Sequence, residues 1–388
     1  MSVENLMVVQ GGGPTPVFNT SLASIIEEAL SQPRIGRIFG ARSGMKGLSS
    51  GDTLDLSRLS SADIFHLSNS PGAALGSSRF KPTEEDLERC VQYLRHLEIR
   101  HLIFMGGNGT MGGAQVFSNF CRNSNFDLQI IGVPKTIDND IAATDRCPGF
   151  GSAARFVAQA TLDLSMDIRS LPQPVSIFET LGRDVGWLAA AATLARRKPD
   201  DAPQLVYLPE IPFSEPAFLS DLDSVVSRIG WAVVVVSEGI MNADGTRVYE
   251  QKLASRPGSP NRPLIGGAAQ YLSGVVADNL GIRCRSEKPG LIGRSSMAYV
   301  SEQDRRDAAL VGREGVRALV SGSTDQMVAL RPLTEGAEIE LVPLSKAAGA
   351  SRAIPSQWLK GNGSGVTDDF AAYVKPLTGA LSYYDAIS

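Results

Sequence analysis

The first 150 residues alternate between short apolar runs and segments with helical spacing of apolar side chains. In residues 87–97 the apolar positions recur every three or four residues, the spacing of an amphipathic helix. Thr83 precedes this segment and Asp86 stands three residues later, which is the pattern of a capping box at a helix start. Buried-type strands are predicted by three apolar runs: 6–9, 101–105 and 129–133. This alternation predicts an α/β domain with a mostly parallel sheet.

A second α/β segment begins near residue 150, and the hinge between the two is expected close to residues 147–149. Helices are predicted in three segments of this second half: 153–168, 217–229 and 301–319. Strands are predicted in four: 174–178, 204–208, 231–236 and 326–330. The chain therefore reads as two α/β units.

Composition narrows the class of protein. The 388 residues carry 37 Lys and Arg against 41 Asp and Glu, for a net charge of −4, and this balance speaks against a nucleic-acid partner bound through a basic surface. Hydrophobic residues make up 43% of the chain and charged residues 20%, so a buried core is expected rather than disorder. The longest compact apolar run, residues 231–236, is far shorter than the roughly 20 residues of a membrane-spanning helix. We therefore expect a cytoplasmic protein without a membrane partner.

The four cysteines are widely spaced and include no CxxC pair. Neither a disulfide framework nor a zinc site is indicated by this spacing. Free thiols are expected at all four positions: Cys90, Cys121, Cys147 and Cys284.

Each strand predicted in the first half ends in a glycine-rich or polar turn, at residues 11–16, 106–110 and 134–140. Ligands of open α/β sheets bind beyond the carboxyl ends of the strands, so these turns are expected to share one crevice. A glycine turn before a helix can present backbone N–H groups to phosphate, although a tight turn without a ligand explains each turn equally well when taken alone. Asp138 and Asp140 can supply a general base and a metal-anchoring or orienting carboxylate, whereas paired aspartates in loops are most often caps and turn formers.

Six motifs in a fixed order resemble the 6-phosphofructokinase family, in a divergent subgroup. They run from about residue 5 to 335: Gly12-Gly13, Gly76-Ser77-Ser78-Arg79, Gly106-Gly107-Asn108-Gly109-Thr110, Pro134-Lys135-Thr136-Ile137-Asp138-Asn139-Asp140, Glu179-Thr180-Leu181-Gly182-Arg183 and Ser237-Glu238-Gly239. The resemblance implies two Rossmann-like three-layer α/β domains with mostly parallel sheets and an active site in the cleft between them. It further implies a kinase that moves a terminal phosphoryl group from ATP or pyrophosphate to a sugar hydroxyl, with Mg²⁺.

The resemblance also assigns domains and residues. Residues 1–147 with part of 265–345 would bind the donor, residues 148–264 the acceptor, and residues 346–388 would be a C-terminal extension. The implied catalytic residues are Asp138 as base, Thr136 and Lys135 at the transferring phosphoryl group, and Asp140 in support. The implied donor-binding residues are Gly13, Arg79, Gly107, Asn108, Gly109 and Thr110, with Asn108 and Asp140 at the metal. The implied acceptor-binding residues are Gly182, Arg183, Glu238, Arg262 and Arg294.

Three departures from the family pattern bear on the substrate. Asn108 stands where the family has an aspartate associated with magnesium, which removes one negative charge. Residues 266–271 and Pro174 fall where the family has cationic ligands of the acceptor phosphate, and a bidentate arginine is not replaced by these residue types. The expected reaction is transfer to the 1-hydroxyl of fructose 6-phosphate. The alternatives are a kinase for a non-phosphorylated sugar or polyol, and a catalytically weak relative that binds nucleotide or sugar phosphate as a regulatory subunit.

The choice of donor rests on two positions. Pyrophosphate-using relatives tend to have an acidic residue at the position of Gly109 and a lysine at that of Lys135, so the two signals disagree here. Gly109 leaves room for a nucleotide and modestly favours ATP, while Lys135 can reach the phosphates of either donor. A solvated loop lysine is the plain alternative for Lys135. A homodimer or homotetramer is expected from the family, in which Arg262 would reach across a subunit interface.

Overall fold

The computed structural model describes residues 3–78, 80–170, 172, 174–250, 265–333, 338–349, 351–360 and 364–384. The chain forms two compact units. The first consists of residues 1–150 and 304–352, and the second of residues 151–303 and 353–388. The chain therefore leaves the first unit, returns to it and leaves it again. The functions predicted for the two domains stay predictions.

The first unit begins with an alternation of strands and helices and ends with two further strands. Its elements are β1 (Glu4–Gln10), α1 (Phe18–Ser31), β2 (Ile35–Ala41), α2 (Met45–Ser50), β3 (Thr53–Asp55), α3 (Ser61–Ser68), α4 (Glu84–His96), β4 (Ile99–Gly106), α5 (Asn108–Asn123), β5 (Gln129–Pro134), α10 (Glu302–Val320), β10 (Gln326–Leu330), β11 (Ile339–Pro343) and α11 (Leu344–Ala347).

The sheet of this unit has seven strands in the order β11-β10-β5-β4-β1-β2-β3. The five central strands are parallel, and β11 and β3 add to the two edges in antiparallel orientation. Successive residues of β1 enter different cores, with Met7 and Val9 on one face of the sheet and Leu6 and Val8 on the other. Strands covered on both faces are continuous apolar runs, which is why the sequence reveals them clearly.

The predicted capping box is present at the start of α4. Thr83 accepts a hydrogen bond from the backbone N–H of Asp86, and the Asp86 carboxylate accepts one in return from the N–H of Thr83. The neighbouring helix α5 starts directly after the glycine turn that follows β4, with Gly107 as its N-cap.

The second unit is built around a smaller sheet. Its elements are α6 (Phe150–Ser170), β6 (Val175–Thr180), α7 (Trp187–Ala191), β7 (Leu205–Tyr207), α8 (Glu215–Ile229), β8 (Ala232–Ser237), α9 (Ala268–Leu280), β9 (Cys284–Glu287) and α12 (Asp368–Thr378), with short 3-10 helices at Ala192–Ala195, Gly290–Arg294, Met297–Tyr299 and Ser356–Trp358. The four strands are parallel in the order β7-β8-β6-β9. The predicted α/β class with mostly parallel sheets is confirmed.

The structure bears on two questions raised by the composition: the state of the cysteines and the character of the helices. All four cysteines are free thiols, with Cys90, Cys121 and Cys147 buried. Among the helices of the described residues, none combines the length and the apolar character that crossing a membrane requires.

Candidate active site

Three polar turns of the first unit lie at one edge of its sheet. They follow β1, β4 and β5, which are adjacent and parallel, so their carboxyl ends point the same way. Backbone hydrogen bonds join the turns, from Gly11 N–H to the carbonyl oxygen of Met105 at 2.8 Å and from Lys135 N–H to that of Gly106 at 3.0 Å. The predicted convergence of these turns is therefore present within this unit.

Two glycines of these turns, Gly11 and Gly106, lie so close to neighbouring atoms that a side chain would not fit. A Cβ atom on Gly11 would lie only 2.5 Å from the Thr110 hydroxyl oxygen, and one on Gly106 would lie 2.7 Å from the carbonyl oxygen of Gly11. Gly12 has a φ of +77°, in the left-handed region that favours glycine. Gly12 and Gly13 thus expose their backbone.

Lys135 is buried beneath the first glycine turn, with only 3% of its surface exposed. Its ammonium group donates a hydrogen bond to the carbonyl oxygen of Gly13 and lies 4.6 Å from the ring centre of Phe18. A Cβ atom on Gly12 would approach the same nitrogen to 3.2 Å. This placement rules out the solvated loop lysine and puts a positive charge directly under the predicted phosphate cradle.

The turn after β5 is organised around the Thr136 hydroxyl. That hydroxyl accepts a hydrogen bond from Asp138 N–H at 3.0 Å and donates one to the Asp140 carboxylate at 3.0 Å. Asn139 adopts a left-handed φ of +54°, and its side-chain oxygen accepts a hydrogen bond from Cys147 N–H. The Asp138 side chain is half-buried in this rigid turn.

Asn108 and Asp140 are in direct contact, as the implied shared metal site requires. The Asn108 amide donates to the Asp140 carboxylate at 2.7 Å and to its carbonyl oxygen at 3.0 Å. Burial raises the pKa of Asp140 above its usual value, an effect that hydrogen bonds from Thr136 and Asn108 partly offset. The Asn108 side-chain oxygen is buried and accepts no hydrogen bond from any described residue. An unused amide oxygen beside a carboxylate is a donor set that suits Mg²⁺, provided that phosphate and water complete the shell.

Within the described residues there is no group of three or more His, Cys, Asp or Glu side chains that could hold an ion. The Asn108–Asp140 pair supplies two ligand side chains, so phosphate and water would complete the shell of an ion bound there.

The acceptor motifs lie at the carboxyl edge of the second sheet. Gly182 and Arg183 follow β6, and Glu238 follows the adjacent strand β8, with its N–H bonded to the carbonyl oxygen of Thr180 at 2.9 Å. Gly182 has a φ of +135°. A Cβ atom on Gly239 would overlap the carbonyl oxygen of Arg183, so the two turns are packed backbone to backbone.

Two residues that the sequence analysis missed support these acceptor turns. Arg247 donates to the carbonyl oxygen of Arg183 at 2.8 Å and to the Asp184 carboxylate at 2.9 Å. Lys288, which follows β9, forms an ion pair of 2.9 Å with the buried Glu179. Burial raises the pKa of Glu238, the charge of Glu179 adds to this rise, and Lys288 opposes it.

The stretch 266–271 has a structural role that its sequence did not reveal. The Glu179 carboxylate accepts hydrogen bonds from the N–H groups of Gly267 and Ala269, at the start of α9. Tyr271 donates its hydroxyl to Glu215 and stacks against Tyr249. The start of α9 is thus tied to Glu179 of the acceptor motif.

Of the three remaining arginine candidates, the structure describes Arg294. Arg294 ends the 3-10 helix that follows β9, the strand next to β6. Arg79 and Arg262 lie outside the described residues. The structure thus brings the described donor and catalytic candidates together in the first unit, and Gly182, Arg183 and Glu238 together in the second.

Comparison with known proteins gives consistent matches. The family model described as Phosphofructokinase matches residues 5–319. A Xanthomonas campestris pv. campestris protein named pyrophosphate–fructose 6-phosphate 1-phosphotransferase is 36% identical, over 97% of this chain and 92% of that protein. A Streptomyces coelicolor protein named ATP-dependent 6-phosphofructokinase 3 is 31% identical, over 90% of this chain and 96% of its own. The solved pyrophosphate-dependent phosphofructokinase from Marinobacter aquaeolei superposes with a TM-score of 0.88 at 31% identity, covering 99% of this chain and 94% of that one.

Proposed function

Because the chain belongs to the phosphofructokinase family, we propose that it transfers a phosphoryl group from pyrophosphate to the 1-hydroxyl of fructose 6-phosphate. The observation that carries this proposal is the buried Lys135 ammonium beneath Gly12 and Gly13, beside the Thr136–Asp140 turn. A fixed cation under bare backbone N–H groups is an arrangement suited to a polyanionic donor. The fructose 6-phosphate phosphotransferases among the relatives support the acceptor.

The turn after β5 performs the transfer in this proposal. Asp138 accepts the proton of the attacking hydroxyl, and the Thr136 hydroxyl, held by its bonds to Asp138 N–H and Asp140, steadies the transferring group. Phosphoryl transfer depends on positioning and charge neutralisation more than on covalent chemistry. The hydrogen bonds that fix this turn therefore contribute to the rate of phosphoryl transfer.

Mg²⁺ is proposed as the cofactor, held by the Asn108 side-chain oxygen and the Asp140 carboxylate. When bound, it neutralises charge on the oxygens of the donor phosphates. Asn108 also keeps Asp140 in place through its amide N–H groups, a contact that an aspartate at position 108 would replace with repulsion.

ATP is the second candidate donor, and Gly109 is the observation that favours it. A Cβ atom on Gly109 would meet nothing within 4 Å, so the first turn of α5 leaves open space there. Pyrophosphate is preferred because the named relative with the higher identity and the matched solved structure are both named as pyrophosphate-dependent, and because pyrophosphate-using relatives tend to have a lysine at the position of Lys135.

The acceptor is proposed to be held by Arg183, Arg294 and Glu238, with Arg262 as a further candidate. The two described arginines would bind its phosphate, and Glu238 would bind a sugar hydroxyl. The cytoplasmic location and the homodimer or homotetramer stay predictions.

A donor-by-acceptor assay with the purified protein tests the proposal. Pyrophosphate and ATP are each offered with fructose 6-phosphate, fructose and a polyol, and product is followed by ³¹P NMR. We expect turnover with pyrophosphate and fructose 6-phosphate, release of inorganic phosphate and dependence on Mg²⁺. Turnover confined to ATP would reject the donor, and turnover confined to the neutral acceptors would reject the acceptor. Binding without any turnover would identify a regulatory relative instead.

A further inference from the structure

Glu210 is a partly buried carboxylate at the acceptor edge of the second sheet to which the proposed reaction gives no role. It follows β7, the strand next to β8. One of its oxygens, Oε1, accepts hydrogen bonds from the N–H groups of Gly186 at 2.9 Å and of Ile354 at 3.3 Å. Gly186 ends the turn that begins with Gly182 and Arg183, and Ile354 lies in the C-terminal segment, residues 353–384. A single carboxylate oxygen therefore joins the acceptor turn to that segment.

The contact between Glu210 and the acceptor turn is close. A Cβ atom on Gly186 would lie 2.7 Å from the second carboxylate oxygen, Oε2, and 2.8 Å from the Leu208 side chain. This Oε2 atom is buried and accepts no hydrogen bond from any residue that the structure describes. The two N–H groups at Oε1 therefore hold the carboxylate in place. Because Oε2 lies so close to Gly186, a displacement of the carboxylate toward this residue would shift the backbone of the turn.

The C-terminal segment surrounds the residue that follows Gly186. Trp187 is 1% exposed, and its ring lies 6.2 Å from that of Trp358, 5.9 Å from that of Phe370 and 5.6 Å from that of Tyr373. Aromatic rings at these distances pack as a rigid cluster. The segment therefore holds the acceptor turn through side-chain packing as well as through Glu210.

The same segment is bonded to the strand that carries Glu210. Gly365 N–H donates to the carbonyl oxygen of Val206 at 2.9 Å, and Val206 N–H donates to the Ser364 hydroxyl at 3.1 Å. These two hydrogen bonds attach the segment to β7, the edge strand of the sheet. Glu210 thus sits at the junction of three elements: β7, the acceptor turn and the C-terminal segment.

From these contacts we propose that Glu210 is a positioning residue for the acceptor site. It fixes Gly186 relative to the C-terminal segment, and so couples the docking of residues 353–384 to the geometry of Gly182 and Arg183. This inference rests on the proposed acceptor role of that turn. By linkage, acceptor binding and docking of the segment stabilise each other.

Kinetics of Glu210→Ala and Glu210→Gln test the proposal, with Asp223→Asn as the control. Asp223 is an exposed carboxylate on α8 of the same unit. Removing the carboxylate in Glu210→Ala is expected to raise the acceptor KM about tenfold while the pyrophosphate KM changes less than twofold. Glu210→Gln keeps an oxygen for both N–H groups and is expected to restore the acceptor KM to within about threefold of wild type. Asp223→Asn is expected to match wild type.

Limited proteolysis supplies a readout that does not depend on turnover. In wild type, saturating fructose 6-phosphate is expected to slow cleavage within residues 353–384, and Glu210→Ala is expected to lose this protection. Should Glu210→Ala not fold, Gly186→Ala displaces the carboxylate from the other side, and it is expected to show the same KM split.

The outcomes separate this inference from the proposed function. A wild-type enzyme that turns over fructose 6-phosphate, together with variants whose acceptor KM is unchanged or rises equally with the donor KM, would overturn the role of Glu210 alone. A wild-type enzyme that neither binds nor turns over fructose 6-phosphate would overturn the proposed acceptor.

Discussion

At the scale of single residues, burial explains much of the chemistry expected here. Asp140, Glu210 and Glu238 all follow strand ends, and burial is the largest cause of the raised pKa in each. The family motifs pointed to Asp140 and Glu238 as candidate residues. They did not point to Glu210, because a single glutamate after a short strand has no local pattern, and its proposed role rests on contacts with Gly186 and Ile354.

Asp138→Asn is the most direct test of the proposed base. An amide cannot accept the proton of the attacking hydroxyl, so turnover is expected to fall at least 100-fold, or about 3 kcal/mol in activation free energy. Stability is expected to change little, because asparagine has nearly the same size as aspartate and the backbone N–H of Asp138 keeps its hydrogen bond to the Thr136 hydroxyl. Steady-state kinetics and thermal melting measure the two effects. Asp127→Asn, an exposed change in the same unit, serves as control, and a kcat within a few-fold of wild type would remove Asp138 from the mechanism.

Asp140→Asn is expected to lower activity and to increase stability by an amount that depends on pH. The raised pKa means that folded Asp140 binds a proton more tightly than unfolded Asp140, so ionisation above the ordinary carboxyl range disfavours the folded state. Removing the charge should therefore raise the melting temperature at about pH 8, and this gain should shrink as the pH falls toward the ordinary carboxyl range and the wild-type carboxyl protonates. Melting curves across this range decide the sign. A gain that grows on acidification would contradict the burial argument.

At the scale of helices and strands, an element could be predicted from the sequence when the residues that define it lie close together in the chain. The start of α4 was predicted from Thr83 and Asp86 alone, since both halves of the capping box lie within one turn. Strand β9 reads Cys-Arg-Ser-Glu and was not predicted, because its pairing with β6 rather than an apolar pattern defines it. The start of α9 was not predicted for a related reason: the N–H groups of Gly267 and Ala269 are held by Glu179, which is distant in sequence.

The first turn of α5 offers a test of donor choice. Gly109→Asp is expected to lower kcat/KM for ATP more than for pyrophosphate, because the new carboxylate would occupy the open space at this position and repel a nucleotide. The helix itself should gain about 0.5–1 kcal/mol, since glycine is a poor helix former and an acid in the first turn is favourable. Gly113→Asp is the matched control, because it makes the same change in the exposed part of the same helix. Equal losses with both donors would contradict the steric explanation.

At the scale of the whole molecule, the candidates divide between the two units. The convergence of the polar turns in the first unit could be predicted because each turn follows a strong apolar strand, and the roles of their residues stay predictions. The acceptor half was predicted less completely, because Arg247 and Lys288 reach their partners from segments remote in sequence. This division has a kinetic consequence. Substitutions of the acceptor candidates in the second unit should change the acceptor KM and leave the donor KM unchanged.

Arginine substitutions in the second unit test that consequence together with the nature of the acceptor. If the acceptor carries a phosphate, Arg183→Ala and Arg294→Ala should each cost about 1.5–3 kcal/mol of binding, the range for hydrogen bonds to charged groups. The acceptor KM should then rise roughly ten- to a hundredfold while the donor KM stays within twofold. Arg228→Ala removes an exposed arginine of the same unit that pairs with Asp200, and it should leave both constants unchanged. If both test variants keep the wild-type acceptor KM, and inorganic phosphate does not compete with the acceptor, then a neutral sugar or polyol must replace fructose 6-phosphate.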